Sequence, residues 1–151
     1  MNRPPALLEL LPHDAPMAMV DELIDVGGEH IHCRTVITDR HVFFDNVLRS
    51  VPGYVGIEIM AQSVAGWAGY HAWCEGRKPA IGFLLGTRRY HSEVAVFAEH
   101  SVLDIYGERL MENKGMAAFR CRIEHNGEVI AHCQLNTYVP SPELLASGVT
   151  E

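Results

Sequence analysis

The sequence predicts an α+β domain in which an antiparallel sheet wraps around one long buried helix. Three observations predict it. Residues 52–73 are nearly free of charge, with no Asp, Glu, Lys or Arg between Glu58 and Glu75, and a helix apolar all round is a buried helix. The segments before and after it read as strands, by alternation or by short apolar runs bounded by turn residues. Only one long helix stands among these strands, which fits a segregated helix and antiparallel sheet rather than repeating βαβ units.

Taken in order, residues 6–11 are a short apolar run that Pro12 ends after one or two helical turns, and Pro12-His13-Asp14-Ala15-Pro16 is a rigid turn. Residues 17–26 read as a strand, with Asp21 and Glu22 on a polar edge. Gly27-Gly28 turns the chain. Residues 29–37 form a second strand, with Ile31, Cys33, Thr35 and Ile37 on one face and His30, His32, Arg34 and Val36 on the other. The loop at 38–51 carries His41, Phe43, Phe44, Asp45, Asn46 and Arg49. Its two adjacent Phe need an apolar seat, on the helix start or on a partner chain.

Pro52-Gly53 starts the helix, since Pro in a first turn gives up an N–H that has no intrahelical partner. Ala61, Ala65, Ala68 and Ala72 fall on one side and predict a small-sided face that lies close against the sheet. Glu75-Gly76-Arg77-Lys78-Pro79 ends the helix with a left-handed glycine, cations and a proline. Residues 80–90, 94–97, 102–110 and 116–123 supply further strands. In the last hairpin, Ala117, Phe119, Cys121 and Ile123 form one apolar set and Val129, Ala131, Cys133 and Leu135 another. A three-residue loop, His125-Asn126-Gly127, sets Ile123 against Val129 and Phe119 against Cys133, and keeps both sets on one face. Residues 1–140 make the domain, and 141–151 a polar, frayed tail. A sheet curled round such a helix describes a hotdog domain. Its sheet edge and helix surface want a second copy, so a dimer is expected.

Composition narrows the function classes. At 151 residues, 48% hydrophobic and 21% charged, the chain is one globular domain with a real core. A net charge of −7, with no dense basic cluster, disfavours nucleic acid. The start has no apolar leader and the central helix is too rich in Gly and Ala for a membrane span, so a cytoplasmic protein is expected. Cys33, Cys74, Cys121 and Cys133 lack CxxC spacing and read as free buried thiols.

Glu58 is the anomaly: a carboxylate at the start of a buried helix, with Gln62 one turn on along the same face. It reads either as a dipole-stabilised acid that escapes to solvent or as a site acid held in a cleft. His30 and His32 share a strand face, but no third metal ligand is evident. His71, His91, His100, His125 and His132 give no functional signal.

Leu11-Pro12-His13 with Pro16-Met17 and Val20-Asp21, then Pro52-Gly53 with Glu58-Ile59-Met60-Ala61-Gln62, resembles the 3-hydroxyacyl-acyl carrier protein dehydratases of fatty acid synthesis, which are hotdog dimers. Val51-Pro52-Gly53-Tyr54-Val55-Gly56-Ile57-Glu58 and Gly82-Phe83-Leu84-Leu85-Gly86-Thr87-Arg88-Arg89-Tyr90 look closer to the ApeP-like branch of aryl polyene assembly. The resemblance runs from about residue 6 to about 138. It implies a catalytic pair made of a loop histidine and a helix carboxylate from different subunits. Glu58 matches the carboxylate. The His-Phe-Pro-Gly loop of the fatty-acid enzymes is missing, and His41 takes the histidine's place by position, as the one histidine between Cys33 and the helix.

The implied chemistry is dehydration of a 3-hydroxyacyl thioester to a trans-2-enoyl thioester. Histidine suits removal of the α-proton, and Glu58 suits the departing hydroxyl. N–H groups at the Pro52-Gly53 helix start suit the thioester oxygen, so Pro52, Gly53 and Gln62 are expected at the substrate. Ile57, Met60, Phe83, Leu84 and Leu85 would line an acyl tunnel or fill the core. Arg49, Arg88 and Arg89 would receive the acidic acyl carrier protein, or stand as a solvated strand end. No metal or other cofactor is needed, because the substrate rides on the carrier's phosphopantetheine arm. Two alternatives stay open: a non-catalytic hotdog subunit that pairs with an active dehydratase, and an acyl thioesterase. Homodimer and heterodimer both remain possible.

Overall fold

The computed structural model describes residues 18–76 and 83–138. Among them, eight strands and one α-helix follow in the order β1 (Glu22–Val26), β2 (His30–Val36), β3 (Ser50–Pro52), a single 3-10 turn (Gly53–Val55), the central helix α1 (Gly56–Cys74), β4 (Phe83–Ser92), β5 (Val96–Ala98), β6 (Val102–Asn113), β7 (Met116–His125) and β8 (Glu128–Tyr138). Six strands form one sheet in the order β1-β2-β6-β7-β8-β4, and β3 and β5 form a separate two-stranded ribbon. Every pair is antiparallel. The opening helix expected at 6–11 and the tail at 141–151 lie outside the described residues.

Alternation builds the core. Ile31 and Cys33 of β2, Leu103 and Ile105 of β6, Phe119, Cys121 and Ile123 of β7, and Ala131, Cys133 and Leu135 of β8 are all buried on the face that meets α1. The alanine stripe is covered only in part: Ala72 is buried, whereas Ala61, Ala65 and Ala68 stay half-buried. The helix instead reaches the strands through Met60, whose Sδ lies 3.9 Å from Cys133 Sγ, through Ser63 beside Cys33, and through Val64 against Gly107. Bulky strand side chains already fill the gap, so the helix offers larger residues between Gly56, Gly66 and Gly69, which are buried. Gly76 ends the helix with φ +69°, the left-handed conformation expected of it. Among the cysteines, Cys33, Cys121 and Cys133 are buried and Cys74 is exposed; all four are free.

Two expectations need correction. The first strand begins at Glu22 rather than 17. Met19 and Val20 are buried but lie outside the ladder, and the Met19 N–H bonds the side chain of Gln62 on the helix instead. The last hairpin has neither a three-residue loop nor the expected register. His125 pairs with Glu128 across the two-residue turn Asn126-Gly127, where both residues have positive φ, +53° and +81°. A bulge then makes Ile130 surplus, so that Ile123 faces Ala131, Cys121 faces Cys133 and Phe119 faces Leu135. The tight turn and the inward alignment of both apolar sets are reconciled by that one extra residue.

Candidate functional site

The start of the central helix is fixed from two sides. β3 pairs with β5, Val51 opposite Phe97, and both are buried. The Gly53 N–H then donates to Ala95 O at 2.8 Å, and the Tyr90 hydroxyl donates to Gly53 O. Burial pushes the Tyr90 phenol up, so the donor keeps its proton. A side chain at Gly53 would strike the backbone oxygen of Val94 at 2.5 Å. The N–H expected to serve a thioester oxygen is therefore spent inside the fold at Gly53. Tyr54 and Val55 are the next residues of the turn.

From this anchored start the helix projects Glu58, half-buried, with Gln62 one turn on. The Gln62 amide donates to Glu58 Oε1 at 3.3 Å and accepts the Met19 N–H at 2.7 Å. Met19 O in turn faces His41 Nε2 at 3.3 Å. A continuous run of contacts thus links Glu58, Gln62, Met19 and His41 within one chain.

His41 stands at the inner end of that run. It is 8% exposed. Its Nε2 also lies 3.3 Å from Thr35 Oγ1, and the Thr38 N–H donates to its Nδ1 at 3.3 Å. The Thr38 carbonyl oxygen also lies 3.2 Å from Nδ1. Both nitrogens are used to tie the end of β2 to the segment at Met19.

Glu58 faces outward. Together with Met19, Phe43, Tyr54, Val55 and Ile57 it lines an open groove of about 390 Å³. The lining is apolar except for that carboxyl and the Tyr54 hydroxyl. Phe43 and Phe44 divide: Phe43 stands 45% exposed on the groove, and Phe44 packs on the core beneath the Arg49 guanidinium, 4.9 Å from the ring centre. Among the described residues no histidine lines this groove. Sequence reasoning missed Met19, Tyr54 and Val55 as lining residues. The usable signal was Tyr54, large and 69% exposed directly after Pro-Gly.

The remaining expected residues scatter. Pro52 ends β3 and Gly53 opens the 3-10 turn, neither lining the groove, and Gln62 is buried one turn on from Glu58. Ile57 reaches the groove, whereas Met60 is core; the side chains of Phe83, Leu84 and Leu85 lie outside the described residues. Arg49 makes a two-pronged bond to Glu99, 2.9 and 2.5 Å, which holds that carboxyl below the usual carboxylate range. Arg89 opens onto another groove on the far face of the sheet, and the Arg88 side chain lies outside the described residues. Arg49 and Arg89 therefore do not share one patch. His30 pairs with Asp25 at 2.9 Å and His32 with Asp104 at 2.8 Å, each the partner of a carboxylate. Among the described residues no helix is long and apolar enough to cross a membrane.

The same architecture recurs in solved structures. One chain of the dehydratase heterocomplex ApeI:P from Xenorhabdus doucetiae matches with a TM-score of 0.87 and 31% identity, covering 99% of this chain and 100% of that one. A hypothetical thioesterase from Streptococcus pneumoniae, solved with coenzyme A, has a TM-score of 0.62 at 13% identity over 78% of this chain and 86% of its own, a likeness of fold alone. In sequence, the 3-hydroxyacyl-(acyl carrier protein) dehydratase FabZ of Psychromonas ingrahamii is 28% identical over 133 residues, 85% of this chain and 87% of that protein. The FabZ of Acinetobacter baylyi is 25% identical over 131 residues, 84% and 87% of the two chains. The family model for ApeP dehydratase matches residues 5–147, nearly the whole chain. With its antiparallel sheet and single long helix in the hotdog arrangement, this chain belongs to the ApeP-like dehydratases.

Proposed function

We propose that this chain is one subunit of a two-subunit dehydratase acting on 3-hydroxyacyl thioesters of an acyl carrier protein, in fatty acid-like or aryl polyene assembly. One observation carries the reading: Glu58 lies on an open apolar groove while His41 is turned inward with both ring nitrogens engaged. The chain then offers the carboxyl half of an acid–base pair. The base comes from a histidine of a different hotdog subunit, because a second copy of this chain would hold its own His41 inward too. The name of the solved heterocomplex supports pairing with a second subunit, and the names of the FabZ relatives support the dehydratase chemistry.

In the reaction, the partner's histidine takes the α-proton and the C–O bond at the β-carbon breaks. The electrons of the α C–H bond become the new C=C bond, and the departing hydroxide leaves as water with a proton from Glu58. Gln62 orients that carboxyl through the bond to Oε1. Charge that gathers on the thioester oxygen meets the first-turn amides beyond Gly53, at the positive end of the helix dipole. Met19, Phe43 and Ile57 accept the acyl chain.

Mass spectrometry of a 3-hydroxyacyl carrier protein tests the proposal. The expected result is no loss of water with this chain alone, and dehydration when a co-purified hotdog dehydratase subunit is added. Glu58→Gln then lowers the rate about 10²-fold or more, and His41→Ala acts only through stability. Full activity of the chain alone, lost in folded His41→Ala, overturns the two-subunit reading. Release of the free acid instead of water makes the chain a thioesterase.

A further inference from the structure

The solvent face of the sheet carries a second groove, of about 380 Å³, across β4, β6, β7 and β8. Two rungs of the ladder contribute to its floor: Glu108, Arg120 and Gln134 stand side by side in one, and Arg122 and His132 in the next, whose third member, Tyr106, lies outside the lining. Arg89 closes one side. The charged lining is thus three guanidiniums against one carboxylate, in a chain whose formal net charge is −7.

Arg89 is there because of an irregularity. Arg88 pairs with Gln134 and His91 with His132, three residues apart on β4 against two on β8. The extra residue lets Tyr90 turn inward to Gly53 O while its neighbour Arg89 turns outward. The arrangement holds Arg89 at φ +57°, a conformation that side-chain-bearing residues seldom adopt.

We infer that this groove binds a small oxyanion of the diphosphate class. Arg120 and Arg122 lie about 7 Å apart along one strand, which offers one guanidinium to each phosphoryl group, and Arg89 approaches from the side. His132 stands on the neighbouring strand with Gln134, whose amide nitrogen already donates to Asn136 Oδ1 at 3.2 Å and has one further N–H to offer. Guanidinium forks suit phosphate oxygens. The internal competitors are modest. Arg120 and Glu108 are 3.9 Å apart and both well exposed. Arg122 bonds Glu124 through Nε at 2.7 Å and lies over Tyr106, 4.1 Å from the ring centre, so its two terminal nitrogens are not part of that ion pair. The acidic remainder of the chain repels a long polyanion, so a compact, highly charged ligand fits better than a nucleic acid.

Calorimetric titration of the full chain with pyrophosphate, and separately with inorganic phosphate, tests this assignment. Pyrophosphate should bind saturably and more tightly than phosphate. Arg89→Gly suits the local backbone and removes only the side chain; it and Arg122→Gln should each weaken binding about fivefold or more. Arg40→Gln, an exposed cation elsewhere, should change it less than about twofold. No saturable heat at about 10 mM ligand, or equal losses in all three variants, overturns the proposal. Glu58→Gln should leave binding intact, so this result is independent of the dehydratase reading.

Discussion

Gln62 is 1% exposed, and its two amide atoms do different work. The oxygen satisfies the Met19 N–H, and the nitrogen steadies Glu58. Gln62→Leu is close in volume but leaves a backbone donor with no acceptor in a buried place. Such a loss costs about 1–3 kcal/mol, so the urea midpoint should fall with an unchanged m-value. In the two-subunit assay the same variant should also lower dehydration, because the carboxyl loses its brace. At this scale the sequence disclosed Glu58 and Gln62 through their one-turn spacing. It placed His41 only by position in the chain. The bonds from Thr38, Thr35 and Met19 that turn the ring inward connect residues up to 22 positions apart, and no local pattern records them.

The elements were legible where periodicity is strict. Residues 31, 33, 35 and 37 are all buried, as alternation required. The helix was legible from its missing charges and its Pro-Gly start, but its facing was not. Helical spacing names stripes, and the partner surface decides which stripe is covered. Gly56 illustrates this. A Cβ there would lie 2.5 Å from the Tyr90 hydroxyl, 3.2 Å from Phe97 Cζ and 3.3 Å from Ile123 Cδ1. Tyr90 cannot yield freely, since it holds Gly53 O. Gly56→Ala should therefore destabilise by about 1–3 kcal/mol through overpacking, despite the better helix propensity of Ala. In a Tyr90→Phe background the cost should shrink, because the struck atom is gone. Denaturation of the four proteins of this double-mutant cycle measures that coupling.

Over the whole molecule, acid sensitivity follows from carboxylates whose charge the fold supports. Asp104 joins β6 to β2, accepting His32 Nε2 at 2.8 Å and Arg34 Nε at 3.0 Å. Burial works against its charge, but those two hydrogen bonds outweigh it and hold the carboxyl below its usual range. Asp25, Asp45 and Glu99 are also held low, by His30, by the amides of Leu48 and Val47, and by Arg49. A group whose pKa is lower folded than unfolded stabilises the fold above its unfolded value, about 4. That contribution fades as pH falls through the folded value. Stability should therefore drop between about pH 5 and pH 2. Asp104→Asn should be less stable than wild type at pH 7 and converge with it in acid. Urea denaturation across pH reads both limbs.

The bulge in the last hairpin bears on how chains of unequal length can share this architecture. Ile130 has no partner on β7, so deleting it would bring Ala131 opposite Ile123 directly and leave every later rung as it stands. Where β7 and β8 pair without such an interruption, losing one residue would flip the rest of the strand, sending Cys133 outward and His132 into the core. The sheet thus keeps an extra position on β8, whose deletion would preserve the facing of Cys133 and Leu135 while giving up the bond that Ile130 O accepts from the Glu93 N–H at 2.8 Å.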